Sequence, residues 1–391
     1  MDENNINSQF NNTPPQECEQ TGGAPEMGAP QNPYTPHYAY QPQYTNAPNG
    51  QNAYVQPPNG YVQTKYVVLP PDLTPETYAE RRDLRRRTRV GIIPALIMLG
   101  VTTLWATVYY AVMAAFGYST QEAYKIVSEP AVLTVVSLLL SMLVFTVPFI
   151  LSAKIAGFRV SDLVPINRPK KGTVLPYFLF GMGFCAFANI ATSYAGQIFE
   201  SFGIDYSVDT GDSPAGVFGF LLSVIGTAVV PGLVEEFACR GIMFGVLKKY
   251  GDAFAIVTTS VIFGLMHGNF VQIPFALLVG LVLGVIRVKT GSMLVCFGVH
   301  AANNLVSVLF DYFGAGLSVA VQNIIYTVFL MVSMLTALVG ILLLNHKKGE
   351  FSFDAPECKA TAKQRYKWFF TSPFVIIFGI VCLLESLAFF A

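Results

Sequence analysis

Charge is what this chain has least of. Asp, Glu, Lys and Arg make up 12% of its 391 residues, where a soluble domain carries about 25%. Histidine occurs four times, and the 24 basic residues are balanced by 24 acidic ones. No overall charge therefore draws the chain to nucleic acid, and no nucleic-acid partner is expected. Six cysteines are present, with no CxxC pair and no regular spacing, which excludes a disulfide framework or a zinc ribbon as the organising principle. The HExxH pattern of common soluble metalloproteases is also missing. A cleaved leader is not expected, because the first apolar run begins only near Gly91.

What is abundant is apolar sequence, 53% of residues with a mean hydropathy of +0.48. It is gathered into long runs: Gly91–Phe116, Ala131–Ser152, Val174–Ile198, Val217–Val230, Ala253–Met266, Ile273–Val288, Met293–Leu309, Ile324–Leu344 and Pro373–Ala391. A helix needs about 20 mostly apolar residues to cross a bilayer. The fold expected is all-α, a multi-pass membrane protein with about eight or nine transmembrane helices.

Charge is also unevenly placed. Arg81, Arg82, Arg85, Arg86, Arg87 and Arg89 precede the first run; Arg159, Arg168, Lys170 and Lys171 precede the third; Lys347, Lys348, Lys359, Lys363, Arg365 and Lys367 precede the last. The segment after the third run is acidic, with Glu200, Asp205, Asp209 and Asp212. Positive residues mark the cytoplasmic side, so the N-terminus and the basic loops are expected there. The arginine cluster suits anionic lipid as well, although a topology signal is sufficient to account for it. Keeping both later basic loops on one side requires an even number of crossings between them. That holds if Val217–Lys249 is a single span, kinked near Pro231–Gly232.

Three regions follow. Residues 1–66 are rich in Pro, Gln, Asn and Tyr, with near-repeats "PNGQNAYVQ" and "PNGYVQ", and are expected to be a disordered cytoplasmic tail. Residues 67–90 form a basic juxtamembrane segment, within which Leu73–Arg89 reads as a polar helix started by Thr74. Residues 91–391 form the membrane domain.

Within that domain, 214–312 stands apart. It places Glu235, Glu236, Arg240, His267, His300, Asn303 and Asn304 inside apolar sequence. Ionisable groups at membrane depth are costly and point to function. Glu236 and Arg240 are spaced i,i+4 and should pair. Glu235 is rotated about 100° away and faces another neighbour. A carboxylate without a partner in apolar surroundings holds its proton more readily, as a general base near neutral pH requires. The alternative is a buried ion network that only fixes helix packing.

Two of the four histidines share this region. The turn "KKYGD" lies midway between Glu235 and His267, so an antiparallel hairpin would bring them to one depth. His300 and Asn304 share a helix face and could donate to charge developing on a carbonyl oxygen. Glu235 with His267 could activate water. Equally, Glu235, His267 and His300 could be three ligands of a divalent metal such as zinc.

Three motifs then carry a resemblance: "EEFACRG" through Glu235, Glu236 and Arg240; "FGLMH" through Phe263 and His267; "HAANN" through His300 and Asn304. In this order they resemble EExxxR, FxxxH and HxxxN of the CAAX-protease and bacteriocin-processing (Abi) family of intramembrane endopeptidases, the type II CAAX prenyl endopeptidases. The resemblance implies a peptidase acting on a membrane-associated protein or peptide. Glu235 would be its base, His267 would help hold the water, His300 and Asn304 would stabilise the oxyanion, and Glu236 and Arg240 would support them. Family members are described both as metalloproteases and as metal-independent glutamate-type enzymes, so the metal stays open. Cys239 stands where the family commonly has Phe, which bears on packing rather than chemistry. Two rivals remain: a catalytically silent scaffold or immunity protein, and an ion-coupled transporter, against which no inverted repeat and no second acidic cluster is seen.

Overall fold

The computed structural model of the protein describes residues 73–203, 214–314, 316–345 and 352–388, together with a short antiparallel pair, β1 (Tyr44–Asn46) and β2 (Asn52–Tyr54). The chain divides into two units, 1–72 and 73–391. Apart from β1 and β2, the tail expected to be disordered lies outside the described residues. So do Asp205, Asp209, Asp212, Lys347 and Lys348.

The second unit is built of helices. In chain order they are α1 (Pro75–Ala115), α2 (Thr120–Val127), α3 (Pro130–Ile155), α4 (Val160–Leu163), α5 (Val174–Ser201), α6 (Gly216–Tyr250), α7 (Asp252–Leu265), α8 (Gln272–Thr290), α9 (Met293–Gly314), α10 (Val319–Asn345), α11 (Ala362–Phe370) and α12 (Pro373–Ala388). Seven are long and apolar enough to cross a membrane, and the pair α11–α12, bent by 60°, makes an eighth. The protein is an all-α, multi-pass membrane protein.

The run expected at Ala253–Met266 is not a span of its own. It forms α7, whose 14 residues reach only about 21 Å against a hydrocarbon core of about 30 Å. Helices α7 and α8 form a hairpin packed through small residues: a Cβ on Gly280 would sit 3.0 Å from Ser260 Cβ, and one on Gly284 would sit 3.0 Å from Ile256 Cγ2. Close backbone approach of this kind replaces the hydrophobic drive that lipid cannot supply. Asp252 at its start and Lys289 near its close both bond to the segment at Ser352–Asp354, so the hairpin enters and leaves at one end.

That end is stitched together by hydrogen bonds. Met293 N donates to Pro165 O at 3.0 Å, Glu357 N to Lys249 O at 3.0 Å, and Lys170 N to Thr290 O at 3.3 Å. Arg86 donates to Ala156 O and Arg87 to Val246 O. Helix α1 begins here. The Thr74 hydroxyl accepts from Thr77 N, and Thr77 returns the bond to Thr74 N, a reciprocal cap. The polar helix and the first span are thus one rod of 41 residues.

Buried apolar side chains form two clusters. One joins α1, α3, α6, α7, α11 and α12 around Leu84, Phe149, Phe244, Ile262 and Phe378. The other joins α5, α8 and α9 around Tyr177, Leu283, Cys296 and Val299, with Leu344 from α10. Helices α3 and α10 turn Leu139, Leu143, Val328 and Leu335 outward, as a lipid-facing surface does.

Candidate active site

Helix α6 carries the glutamates. It is one continuous span from Gly216 to Tyr250, as the sequence suggested. Its irregularity is two π-helical turns, Val224–Val229 and Phe237–Met243, on either side of the stretch that holds Pro231, Glu235 and Glu236. Such turns break the regular i→i−4 bonding and are frequent at functional sites.

Gly232 lets α6 approach α9. A Cβ there would meet Ala301 N at 3.1 Å and Ala301 Cα at 3.3 Å. Ala301 follows His300, so this contact decides how close the glutamates come to that histidine.

Glu236 and Arg240 are paired, as their spacing suggested. Arg240 Nη1 donates to Glu236 Oε1 at 2.6 Å, and both side chains are buried. The same oxygen lies 2.9 Å from His300 Nδ1. Glu236 therefore ties α6 to α9 as well as to its own arginine. The second carboxylate oxygen of Glu236 and Arg240 Nη2 are buried without a partner.

Glu235 points elsewhere. Its carboxylate is 18% exposed, and Oε2 lies 3.8 Å from His300 Nε2. That is too long for a hydrogen bond and about the gap one bridging group fills. One imidazole thus faces both glutamates, with Nδ1 bonded to Glu236 and Nε2 directed to the more open carboxylate.

His267 lies just beyond the C-terminus of α7, before Gly268, whose φ of +65° turns the chain. Its Nδ1 lies 2.9 Å from the carbonyl of Phe263. Donation to that carbonyl fixes the tautomer and leaves Nε2 as the reactive nitrogen. No hydrogen bond or ion pair joins His267 to Glu235. Phe263 links the groups instead: its ring lies edge-on to His267 at 5.1 Å and to His300 at 6.0 Å, with the Arg240 guanidinium 4.3 Å from its centre. Asn304 faces α6, as His300 does, and donates to Thr227 O at 3.2 Å inside the first π turn. Its carbonyl accepts from Asn303 at 3.3 Å.

Glu235, Glu236, Arg240 and His300 are thus brought together directly, and His267 and Asn304 flank them. No group of three His, Cys, Asp or Glu gathers as a ligand set among the described residues. His300 and His267 each bond through Nδ1, to Glu236 and to a carbonyl, and keep Nε2 free, which is also how a metal-ligating histidine is held.

Glu385, which lies outside the three motifs, is a further neighbour. Its Oε1 accepts from Thr103 at 2.8 Å, and a Cβ on Gly268 would lie 3.0 Å from its Oε2. Helix α12 thereby sets a carboxylate against the turn that carries His267. Cys239 is fully buried, and the five cysteines among the described residues are free thiols.

Residues 217–306 match the family model described as Type II CAAX prenyl endopeptidase Rce1-like. The match covers Glu235, Glu236, Arg240, His267, His300 and Asn304 and agrees with the resemblance carried by the three motifs. It spans about a quarter of the chain. No curated protein and no solved structure gives a match.

Proposed function

We infer, from a segment similar to membrane proteases of the CAAX endopeptidase type, that this protein is an intramembrane endopeptidase. It hydrolyses a peptide bond in a membrane-associated protein or peptide. The observation that carries this reading is the placement of His300 between the buried, arginine-paired Glu236 and the more open Glu235.

Glu235 takes a proton from water, which attacks the scissile carbonyl. The carbon becomes tetrahedral and its oxygen gains negative charge. His300, its orientation fixed through Nδ1, presents Nε2 to the same space and donates there when protonated. The proton on Glu235 then passes to the leaving amine. Preoriented donors in a site poor in water stabilise developing charge with little reorganisation. Phe263 lies edge-on to both imidazoles and holds each at a fixed separation from its ring. The basic end of the molecule faces the cytoplasm, by the distribution of Arg and Lys.

The test compares protein termini in membranes carrying wild-type protein and Glu235→Gln at matched expression. New termini seen only with wild type support peptidase action and point to substrates. Identical termini, with both proteins folded, would favour the silent scaffold.

A further inference from the structure

A second polar site lies at the basic end of the bundle, away from the glutamates. A cavity of about 380 Å³ is lined by Tyr78, Arg81, Arg82, Arg85 and Arg89 of α1 and by the chain at Ser372–Phe374, where α11 bends into α12. Among the described residues, none of these four arginines has an acidic partner. The nearby acids on α1 are engaged elsewhere. Asp83 binds Arg87, Lys249 and Tyr250; the Glu80 carboxylate accepts from Lys359 N and Ala360 N; Glu76 pairs with Lys359. Helix α11 contains no acid, and the first on α12 is Glu385, at the far end of that helix.

Arg81, Arg85 and Arg89 recur every fourth residue, which stacks like charges on one face and is unfavourable by itself. The Nε atoms of Arg81 and Arg85 are buried and have no acceptor. Buried donors of this kind cost free energy until something accepts from them. The N-terminus of α12 adds partial positive charge to the same wall.

The level of the cavity narrows the choice of anion. It sits where α1 passes from arginine-rich to apolar sequence and where α11, with Lys363 and Lys367, gives way to apolar α12. That is the level of lipid headgroups. Guanidinium groups match phosphate oxygens in pairs, as ammonium groups do not. Phe374 offers an apolar wall on the side of the acyl chains.

We propose that this cavity binds a phosphate-bearing anion presented by an anionic phospholipid headgroup. The site is independent of the peptidase reading.

The test uses the full chain, purified and delipidated in neutral detergent. Phosphatidylglycerol, phosphatidylcholine and inorganic phosphate are offered separately, and retention is read by native mass spectrometry. Wild type is expected to retain phosphatidylglycerol over phosphatidylcholine. Arg81→Gln with Arg85→Gln is expected to lose that retention by at least about tenfold, the effect of removing one charge-assisted bond or more. Arg86→Gln, outside the cavity, should retain the lipid as wild type does. Arg81→Lys with Arg85→Lys keeps the charge and loses the fork, so it should fall between. It also serves where the glutamine variant does not fold. Equal retention of the two lipids, or unaltered retention by the glutamine variant, would overturn the proposal. Displacement of phosphatidylglycerol by equimolar inorganic phosphate would overturn the lipid as the source, leaving a site for soluble phosphate.

Discussion

One oxygen of Glu236 holds two partners on two helices: Arg240 Nη1 at 2.6 Å and His300 Nδ1 at 2.9 Å. The neighbouring Glu235 bears on the same imidazole from its other nitrogen. The two adjacent carboxylates thus have different surroundings, which in the proposed reaction suit one to a structural and the other to a chemical task.

That separation is measurable. Glu236→Ala strands the buried Arg240 without its counter-charge, a change that costs about 3–5 kcal/mol where a buried pair is broken. Glu235→Gln keeps the shape of a group that makes no hydrogen bond, 3.8 Å from His300 Nε2, and should cost much less. Thermal unfolding in detergent should therefore separate the two variants clearly. Activity should be lost in both.

Phe263 offers a second test. Phe263→Leu keeps an apolar side chain but removes the ring beneath Arg240 and the edge contacts to both histidines. A cation over a desolvated ring contributes about 2 kcal/mol. The expected outcome is a folded protein with reduced kcat and little change in KM. A change confined to KM would place Phe263 in substrate binding instead.

Gly232 sets the gap between α6 and α9. Gly232→Val pushes against the backbone at Ala301 and should cost about 1–3 kcal/mol through overpacking. The loss should fall on the Glu236–His300 contact first. Cysteine pairs placed across α6 and α9 should then cross-link more slowly than in the parent chain.

Glu385 is expected to be a positioning residue. Glu385→Ala removes the bond to Thr103 and the carboxylate behind Gly268, with no loss of any group facing Glu235. Turnover should fall at unchanged KM, and Glu385→Gln, which still accepts from Thr103, should restore much of it. Equal loss in both variants would argue for a role in charge rather than position.

The side-chain geometry also predicts the response to metal removal. Since no group of three His, Cys, Asp or Glu gathers as a ligand set among the described residues, dialysis against EDTA is expected to leave activity in place. Inactivation reversed by added zinc would contradict that arrangement.

Much of this architecture was legible in the sequence because it depends on local spacing. A spacing of four positions from Glu236 to Arg240 specifies a pair, and the same spacing from His300 to Asn304 turns both toward α6. Thr74 before Pro75 marks the start of α1. The rest depends on contacts between distant segments. Nothing local shows that Glu385 reaches the turn at Gly268, or that His300 bridges both glutamates. The apolar run at Ala253–Met266 reads like a span because composition does not reveal how deep a helix goes. Its 14 residues end in the turn that presents His267. The π turns in α6 have no distinctive residue pattern, since their cost is offset by packing against α9 and α3.

Helix α12 has an architectural consequence of its own. Its first residues wall the arginine cavity, and Glu385, twelve positions on and about 18 Å deeper, abuts the histidine turn. A short helix is stiff along its axis, so it holds these two features at a fixed separation. The wall of the arginine cavity and the carboxylate behind the turn at His267 are carried on one rigid element.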